Sequence, residues 1–378
     1  MQFSVSKNAL LKELNLLQGI VEKKSTIPIL SNVLIETADS MISLIATDLD
    51  VSLQTECPAE STRAGSIVLQ ARKLFDIVRS LPDAEIHFTR EDNDWVRIVC
   101  ASSNFRIVGQ AKEHFPSTPK SEKGGIIIPA TVMHALINRT AFAITQEESR
   151  YALNGALLLL AEGKLQMVAT DGHRLALAAR AIDSQSSEAE PLKVIVPKKA
   201  LIELAKLTAG VDDNLELSRD ENHLYFEIQN RNLTSRMLAG QFPNYELVLP
   251  KNNDKSVSLN VDKLTQAIKR AALMADERSH GVKVELAAGK LSITSQSADV
   301  GEAKEEIQLD YTGETLSIGF NAQYLLDFLG VVGTEEVIFE FKDEQSPALM
   351  RPSGESSAEG SGEGGSEYKY VIMPMRLL

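Results

Sequence analysis

The sequence predicts an α+β fold of three tandem domains of like fold, each with two helices packed on antiparallel sheet. Three observations predict it. A short apolar run, an amphipathic helix and alternating strand-like runs recur six times along the 378 residues. Distant strings echo one another and pair the six units into three larger repeats. Ile45-Ala46-Thr47-Asp48 echoes Val168-Ala169-Thr170-Asp171, Gly163-Lys164-Leu165 echoes Gly289-Lys290-Leu291, and Phe115-Pro116 echoes Phe242-Pro243. Connectors of turn-forming residues, Pro116 to Ser121 and Pro250 to Asp254, then divide the chain near residues 120 and 250. The expected domains are 1–120, 121–250 and 251–378.

The six openings follow in order. Phe3-Ser4-Val5 leads into a helix from Lys7 to about Val21, and Ile67-Val68-Leu69 into one from Arg72 to Ser80. Ile126-Ile127-Ile128-Pro129 precedes a helix from Thr131 to about Ile144, and Val194-Ile195-Val196-Pro197 precedes Lys198 to Thr208. Val257-Ser258-Leu259 precedes Asp262 to Ala275, and Leu316-Ser317-Ile318 precedes Asn321 to Leu329. Leu74, Phe75, Val78 and Leu81 fall on one helical face, as do Leu201, Leu204, Ala205 and Thr208. Pro197 and Asp262 are helix-start signals. Residues 352–367 are rich in Gly, Ser and Glu and read as a flexible, solvated loop without a core of its own.

Composition sets the class. Hydrophobic residues are 43% and charged residues 24%, which fits a globular protein and not a disordered one. The N-terminus lacks an apolar signal core, and the Ala156–Ala161 run is too short to span a bilayer. Cys57 and Cys100 make no disulfide framework and no CxxC pair, so a reducing cytoplasm is expected. Net charge is −13, which taken alone argues against polyanion binding. The distribution reverses that reading. The segments 7–24, 72–80, 130–146, 198–207, 262–274 and 321–330, the helices with their flanks, hold fourteen basic and six acidic side chains, a net of +8, leaving −21 for the remainder. A basic helical face is the electrostatic footprint of nucleic-acid binding. With aromatics at 5%, stacking platforms for single strands are few.

No string in the sequence assembles a catalytic site. Asp171-Gly172-His173-Arg174 could offer a His with a carboxylate, but no nucleophile context accompanies it, and a turn bending at Gly172 explains it better. Asp48-Leu49-Asp50 supplies too few ligands for a metal, and no metal or cofactor is expected. The tail from Tyr370 to Leu378 is apolar to its end, reading as a last strand through Val371 and Ile372 with Met373 onward walling a groove.

These residues carry a family resemblance. Pro28-Ile29-Leu30, Ala71-Arg72-Lys73, Arg150-Tyr151-Ala152-Leu153-Asn154-Gly155, Ala169 to Leu175, Val194 to Pro197, Val248-Leu249-Pro250-Lys251 and Val371 to Leu377 together resemble the bacterial DNA polymerase III beta subunits, the sliding clamps, over essentially the whole chain. The resemblance implies a non-catalytic, cytoplasmic, nucleoid-associated processivity factor. It would be a head-to-tail homodimeric ring, its hole lined by twelve helices, through which duplex DNA threads without sequence preference. Packing supports two chains: at about 8–10 Å between neighbouring axes, six helices close a circle only about 18 Å across and twelve close one of about 35 Å.

The resemblance also implies sites. A cleft for short apolar peptides of the polymerase alpha subunit, the clamp loader and repair proteins would be lined by Leu153, Thr170, Gly172, His173, Arg174, Leu175, Pro243, Val248, Val371, Ile372, Met373, Pro374, Met375, Arg376 and Leu377. DNA would be met by Lys24, Arg72, Gln146, Arg150, Tyr151, Lys198 and Lys199. The dimer contact would set Lys73, Arg97 and Arg106 against Glu302, Glu305 and Glu306, with Asp299 beside them and Leu273 and Met274 adding an apolar contact. The sequence departs from the family pattern at Glu147, at Glu246-Leu247, at the uncharged Ser102 and Asn104, and in an additional C-terminal Leu378.

Overall fold

The computed structural model describes residues 1–22, 26–121, 124–145, 147, 149–182, 191–297, 300–354 and 366–376. Lys24, Gln146, Asp299, Leu377 and most of the Gly/Ser/Glu loop lie outside the described residues.

One βαβββ unit is written six times. The first pair is β1 (Gln2–Ser6), α1 (Lys7–Leu17), β2 (Asn32–Thr37), β3 (Met41–Thr47), β4 (Val51–Pro58) and an extra β5 (Glu60–Arg63), then β6 (Gly65–Gln70), α2 (Ala71–Ser80), β7 (Glu85–Arg90), β8 (Trp95–Cys100) and β9 (Ser103–Val108). The second is β10 (Ile126–Pro129), α3 (Ala130–Thr140), β11 (Gly155–Ala161), β12 (Lys164–Thr170), β13 (Arg174–Ala181), then β14 (Leu192–Pro197), α4 (Lys198–Thr208), β15 (Asn214–Arg219), β16 (His223–Ile228) and β17 (Arg231–Arg236). The third is β18 (Lys255–Asn260), α5 (Val261–Ala272), β19 (Gly281–Ala287), β20 (Lys290–Ser297), β21 (Gly301–Gln308), then β22 (Leu316–Asn321), α6 (Ala322–Leu329), β23 (Glu336–Phe341), β24 (Ala348–Pro352) and β25 (Glu367–Ile372).

Within each pair the two units exchange their opening strands. β6 pairs beside the β2–β4 meander and β1 beside β7–β9, and the same swap recurs in the other two pairs. Each result is a four-stranded antiparallel half-sheet with the opening strand at one margin and the last meander strand at the other, save that β5 adds a fifth strand outside β1. These last strands then join half-sheets. β17 pairs antiparallel with β4, and β13 with β25, making two eight-stranded sheets. Two last strands, β9 and β21, keep an open edge among the described strands.

The chain condenses into two compact units. One comprises Met1–His134 with Lys199–Met237, the other Ala135–Lys198 with Leu238–Leu378. Each holds one eight-stranded sheet and one smaller sheet. This division differs from the expected one near residues 120 and 250, because the β4·β17 and β13·β25 ladders carry a sheet past each connector.

In the first unit a buried ion pair spans that joint. Arg231 on β17 gives Nε and Nη2 to the two Glu13 carboxylate oxygens at 2.9 and 2.6 Å, and Thr55 Oγ1 donates to the same carboxylate. All three side chains are buried. In the second unit both faces of β11 and β13 are covered. Leu157, Val168, Leu175, Leu177, Ile195, Leu349 and Val371 form an apolar cluster under Leu238, Phe242, Tyr245 and Leu249.

Three helices end before their expected limits. α1 stops at Leu17, and Gly19 beyond it lies under the Glu203 carboxylate, where a Cβ would come within 2.2 Å of an oxygen. α3 stops at Thr140, whose hydroxyl bonds back to Leu136 O at 2.7 Å, and a 3-10 turn follows over Ala141–Ala143. α5 stops at Ala272 and starts on Asn260, which caps Lys263 N; Asp262 lies inside its first turn. Asn321 likewise caps α6 through Gln323 N and Tyr324 N. No described helix is long and apolar enough to cross a membrane.

Candidate functional site

The second unit carries an apolar cavity of about 130 Å³ beside its eight-stranded sheet. It is lined by Leu153, Thr170, Gly172, Arg174, Leu175, Pro243, Tyr245, Val248, Val371 and Met373. The β13·β25 ladder forms its floor, with Leu175 opposite Val371 and Arg174 opposite Ile372. The 3-10 turn Tyr151–Leu153 and the segment around Tyr245–Leu247 supply its sides.

The turn between β12 and β13 is built from short-range bonds. Asp171 Oδ1 accepts from His173 N and Arg174 N at 2.9 and 3.0 Å. Thr170 Oγ1 donates to Arg174 O at 2.6 Å and accepts from Gly172 N at 3.1 Å, with Gly172 at φ +91°. Arg174 is the buried hub. Its Nε meets Asp171 Oδ2 at 3.0 Å, Nη1 meets Asp327 Oδ2 at 2.5 Å, and Nη2 donates to Phe142 O at 2.9 Å. Its guanidinium also lies 4.2 Å from the Tyr324 ring centroid. Each nitrogen of the cation therefore has an oxygen partner, which is what permits its burial.

Nine of the expected cleft residues thus share one cavity. His173 is exposed and contributes only its carbonyl, which accepts from Met373 N at 2.9 Å. Ile372 is buried in the core, Met375 pairs with Gly319, and Pro374 and Arg376 lie off the cavity. Tyr245 was missed by the sequence reading. Its hydroxyl accepts from Gln166 Nε2 at 2.7 Å, and burial raises its pKa; a lone Tyr between Asn244 and Glu246 gives no periodic signal. Leu247 is 82% exposed close by, an apolar side chain with no seat of its own.

The expected DNA residues divide between the units. Arg72 is exposed on α2 in the first unit. Lys199 is held there by Asp48 and by Ile20 O at 2.8 Å. In the second unit Arg150 and Tyr151 are exposed, and Lys198 Nζ donates to Ile144 O at 3.2 Å. Burial, then the Arg174 charge, lowers the Lys198 pKa.

Most of the residues expected at a dimer contact lie on or beside the open-edged β9 and β21, and Lys73 lies on α2. Arg97 and Arg106 give Nε to the two oxygens of Glu91, each at 2.7 Å, and Arg106 stacks 4.4 Å from the Trp95 ring centroid. Arg270 holds Glu305 at 2.6 Å, while Lys304 and Lys290 each hold Glu306 at 2.9 Å and take its pKa down to about 2. Leu273 is 75% exposed, and Lys73 and Glu302 are exposed as well. The expected cross-pairs of Arg97, Arg106, Glu305 and Glu306 therefore start from charges already matched within the chain.

No cluster of three or more His, Cys, Asp or Glu among the described residues could hold a metal. The Asp48 carboxylate instead accepts from Asp50 N and Val51 N at 3.0 and 2.6 Å and from Lys199, repeating the Asp171 turn.

Comparison with known proteins decides the family. Models of the N-terminal, central and C-terminal domains of the DNA polymerase III beta subunit match residues 1–119, 127–244 and 246–376. This chain belongs to the DNA polymerase III beta subunit family. The Beta sliding clamp of Pseudomonas aeruginosa is 37% identical over 379 residues, with all of both chains covered, and that of Caulobacter vibrioides is 34% identical over 385 residues, again over all of both. A crystal structure of the Pseudomonas aeruginosa clamp bound to griselimycin superposes with a TM-score of 0.91 at 37% identity, covering all of both chains. The griselimycin-bound clamp of Bartonella birtlesii gives 0.92 at 33% identity, with the same coverage. The fold is three tandem clamp domains. As a beta subunit, the chain is the non-catalytic processivity clamp of DNA polymerase III, and its partners are DNA and the polymerase.

Proposed function

We propose that two copies of this chain join head to tail into a ring around duplex DNA. One observation carries this. Four of the six last meander strands have already paired with one another, last strand to last strand, at β4·β17 and β13·β25. Only β9 and β21 keep such an edge among the described strands. The same antiparallel joint made between chains would use both edges and leave neither exposed. Their charges suit it: Arg97 and Arg106 at one edge, Glu302, Glu305 and Glu306 at the other, with Leu273 as an apolar contact. Lys73 and Met274 would join the same contact.

The three domains divide near residues 120 and 250. The apolar cavity accepts a short apolar segment of the polymerase, the clamp loader or repair proteins, an anchor entering a pocket with a polar edge. Arg72, Arg150, Tyr151, Lys198 and Lys199 meet DNA phosphates, with Lys24 and Gln146 alongside. Such contacts are sequence-independent and compatible with sliding. The work takes place in the cytoplasm, on the nucleoid. Chemistry belongs to the tethered polymerase, whose effective concentration at the primer end the ring raises.

Retention on DNA tests this. Protein loaded on primed circular DNA by a matched loader should stay on the circle and leave through the ends once the circle is cut. Equal retention on both forms would mean contact binding without encirclement. A peptide-binding scaffold that never surrounds DNA would keep full polymerase processivity after charge reversal at Lys198 and Lys199; the ring reading expects that variant to lose it.

A further inference from the structure

We infer that Arg150 couples the cleft to DNA: a phosphate that takes its guanidinium loosens the cleft wall, so duplex in the ring weakens peptide binding. This rests on the ring reading above.

Arg150 lies outside the cavity, immediately before the exposed Tyr151. Its Nη1 donates to Asp171 O at 2.7 Å, and its Nε lies 3.2 Å from Glu147 Oε2. The guanidinium is seated on Gly172, where a Cβ would come within 2.6 Å of Nη1. The repeat supplies an internal control for that seat. The turn at Thr47–Val51 makes the same bonds: Thr47 Oγ1 accepts from Leu49 N at 3.0 Å, and Asp48 Oδ1 accepts from Asp50 N and Val51 N. Leu49 occupies the Gly172 position there at φ +82°. Backbone shape alone therefore admits a side chain in this turn. What a Cβ at Gly172 would meet, beyond ordinary left-handed strain, is the Arg150 guanidinium, which would have to move off its seat.

The seated arginine reaches the cleft through main-chain bonds. Asp171 leads into Gly172, which lines the cavity, and His173 O then accepts from Met373 N, holding the methionine that forms another wall. The present partners of Arg150 are weak ones, a neutral carbonyl and an exposed carboxylate. A phosphate offers the guanidinium a charged, bidentate partner in place of a neutral carbonyl and a solvent-exposed carboxylate. DNA thus draws Arg150 away, and the turn loses one hydrogen bond. That loss lowers cleft affinity by about three- to tenfold. Linkage makes the effect reciprocal, so a filled cleft lowers duplex affinity by the same factor.

The test uses the full-length dimer, fluorescent griselimycin as the cleft probe and a separately labelled short duplex, at one fixed salt concentration. Saturating duplex should raise the griselimycin Kd of the wild type by about three- to tenfold. Arg150→Ala should show the raised Kd without DNA and no further change with it. Gly172→Ala, which keeps the arginine but displaces it, should behave alike. Lys199→Ala should weaken duplex binding yet keep the coupling factor at saturation. If the duplex binds and the wild-type griselimycin Kd does not move, or Arg150→Ala keeps the full DNA response, the coupling is overturned while the ring reading stands. If the labelled duplex does not bind at all, both fall.

Discussion

Glu13 and Cys57 show how much one buried charge governs its surroundings. Burial first, and the Glu13 carboxylate second, push the Cys57 thiol up to about 11. The thiol is therefore protonated at neutral pH, and native protein at pH 8 should resist alkylation at Cys57 until denaturant is added. The raised value favours the folded state below the ordinary thiol range. That contribution should fade as pH rises from about 9 to about 11, read as a falling urea midpoint. Arg231→Met would strand Glu13 without its bidentate partner and cost about 3–5 kcal/mol, whereas Glu13→Leu combined with Arg231→Met should recover most of that midpoint. None of this was legible in the sequence. The two residues stand 218 positions apart, and neither type announces burial. The Thr170–Arg174 turn was legible, because its glycine and Asx chemistry act within five residues.

Helix starts and the six apolar openings could be read from local spacing, and all six opening runs sit within the strands that now bear them, with Pro197 closing β14. Helix ends could not. The Thr140 back-bond is local, but the Glu203 carboxylate above Gly19 belongs to another repeat. Edge strands carry the prediction at this scale. Arg106→Glu places like charge opposite the β21 glutamates and also breaks the Glu91 pair, so the dimer dissociation constant by sedimentation should rise about tenfold or more. Glu302→Arg in the same chain should return part of the loss. An unchanged constant in the single variant would remove β9 from the joint.

For the whole molecule, the sequence showed the threefold repeat but not its wiring. Pairing β4 with β17 joins strands on either side of a long connector, and ladder edges have no compositional signature that names their partner. The charge asymmetry was legible because it is a count; that Lys199 spends its charge on Asp48 was not. Since the compact bodies are two, calorimetry of the full chain should resolve two cooperative transitions and not three. The buried joint between the first two repeats has a further consequence, for fragments. A protease cut in the connector after β9 would sever the chain without parting the fold, because the β4·β17 ladder and the Glu13–Arg231 pair hold across the break. Residues 1–120 made alone would carry β4 as a bare edge and Glu13 as an unanswered buried charge. Supplied with 121–378 as a separate polypeptide, each piece should find in the other what it lacks, and the protein should reassemble by complementation.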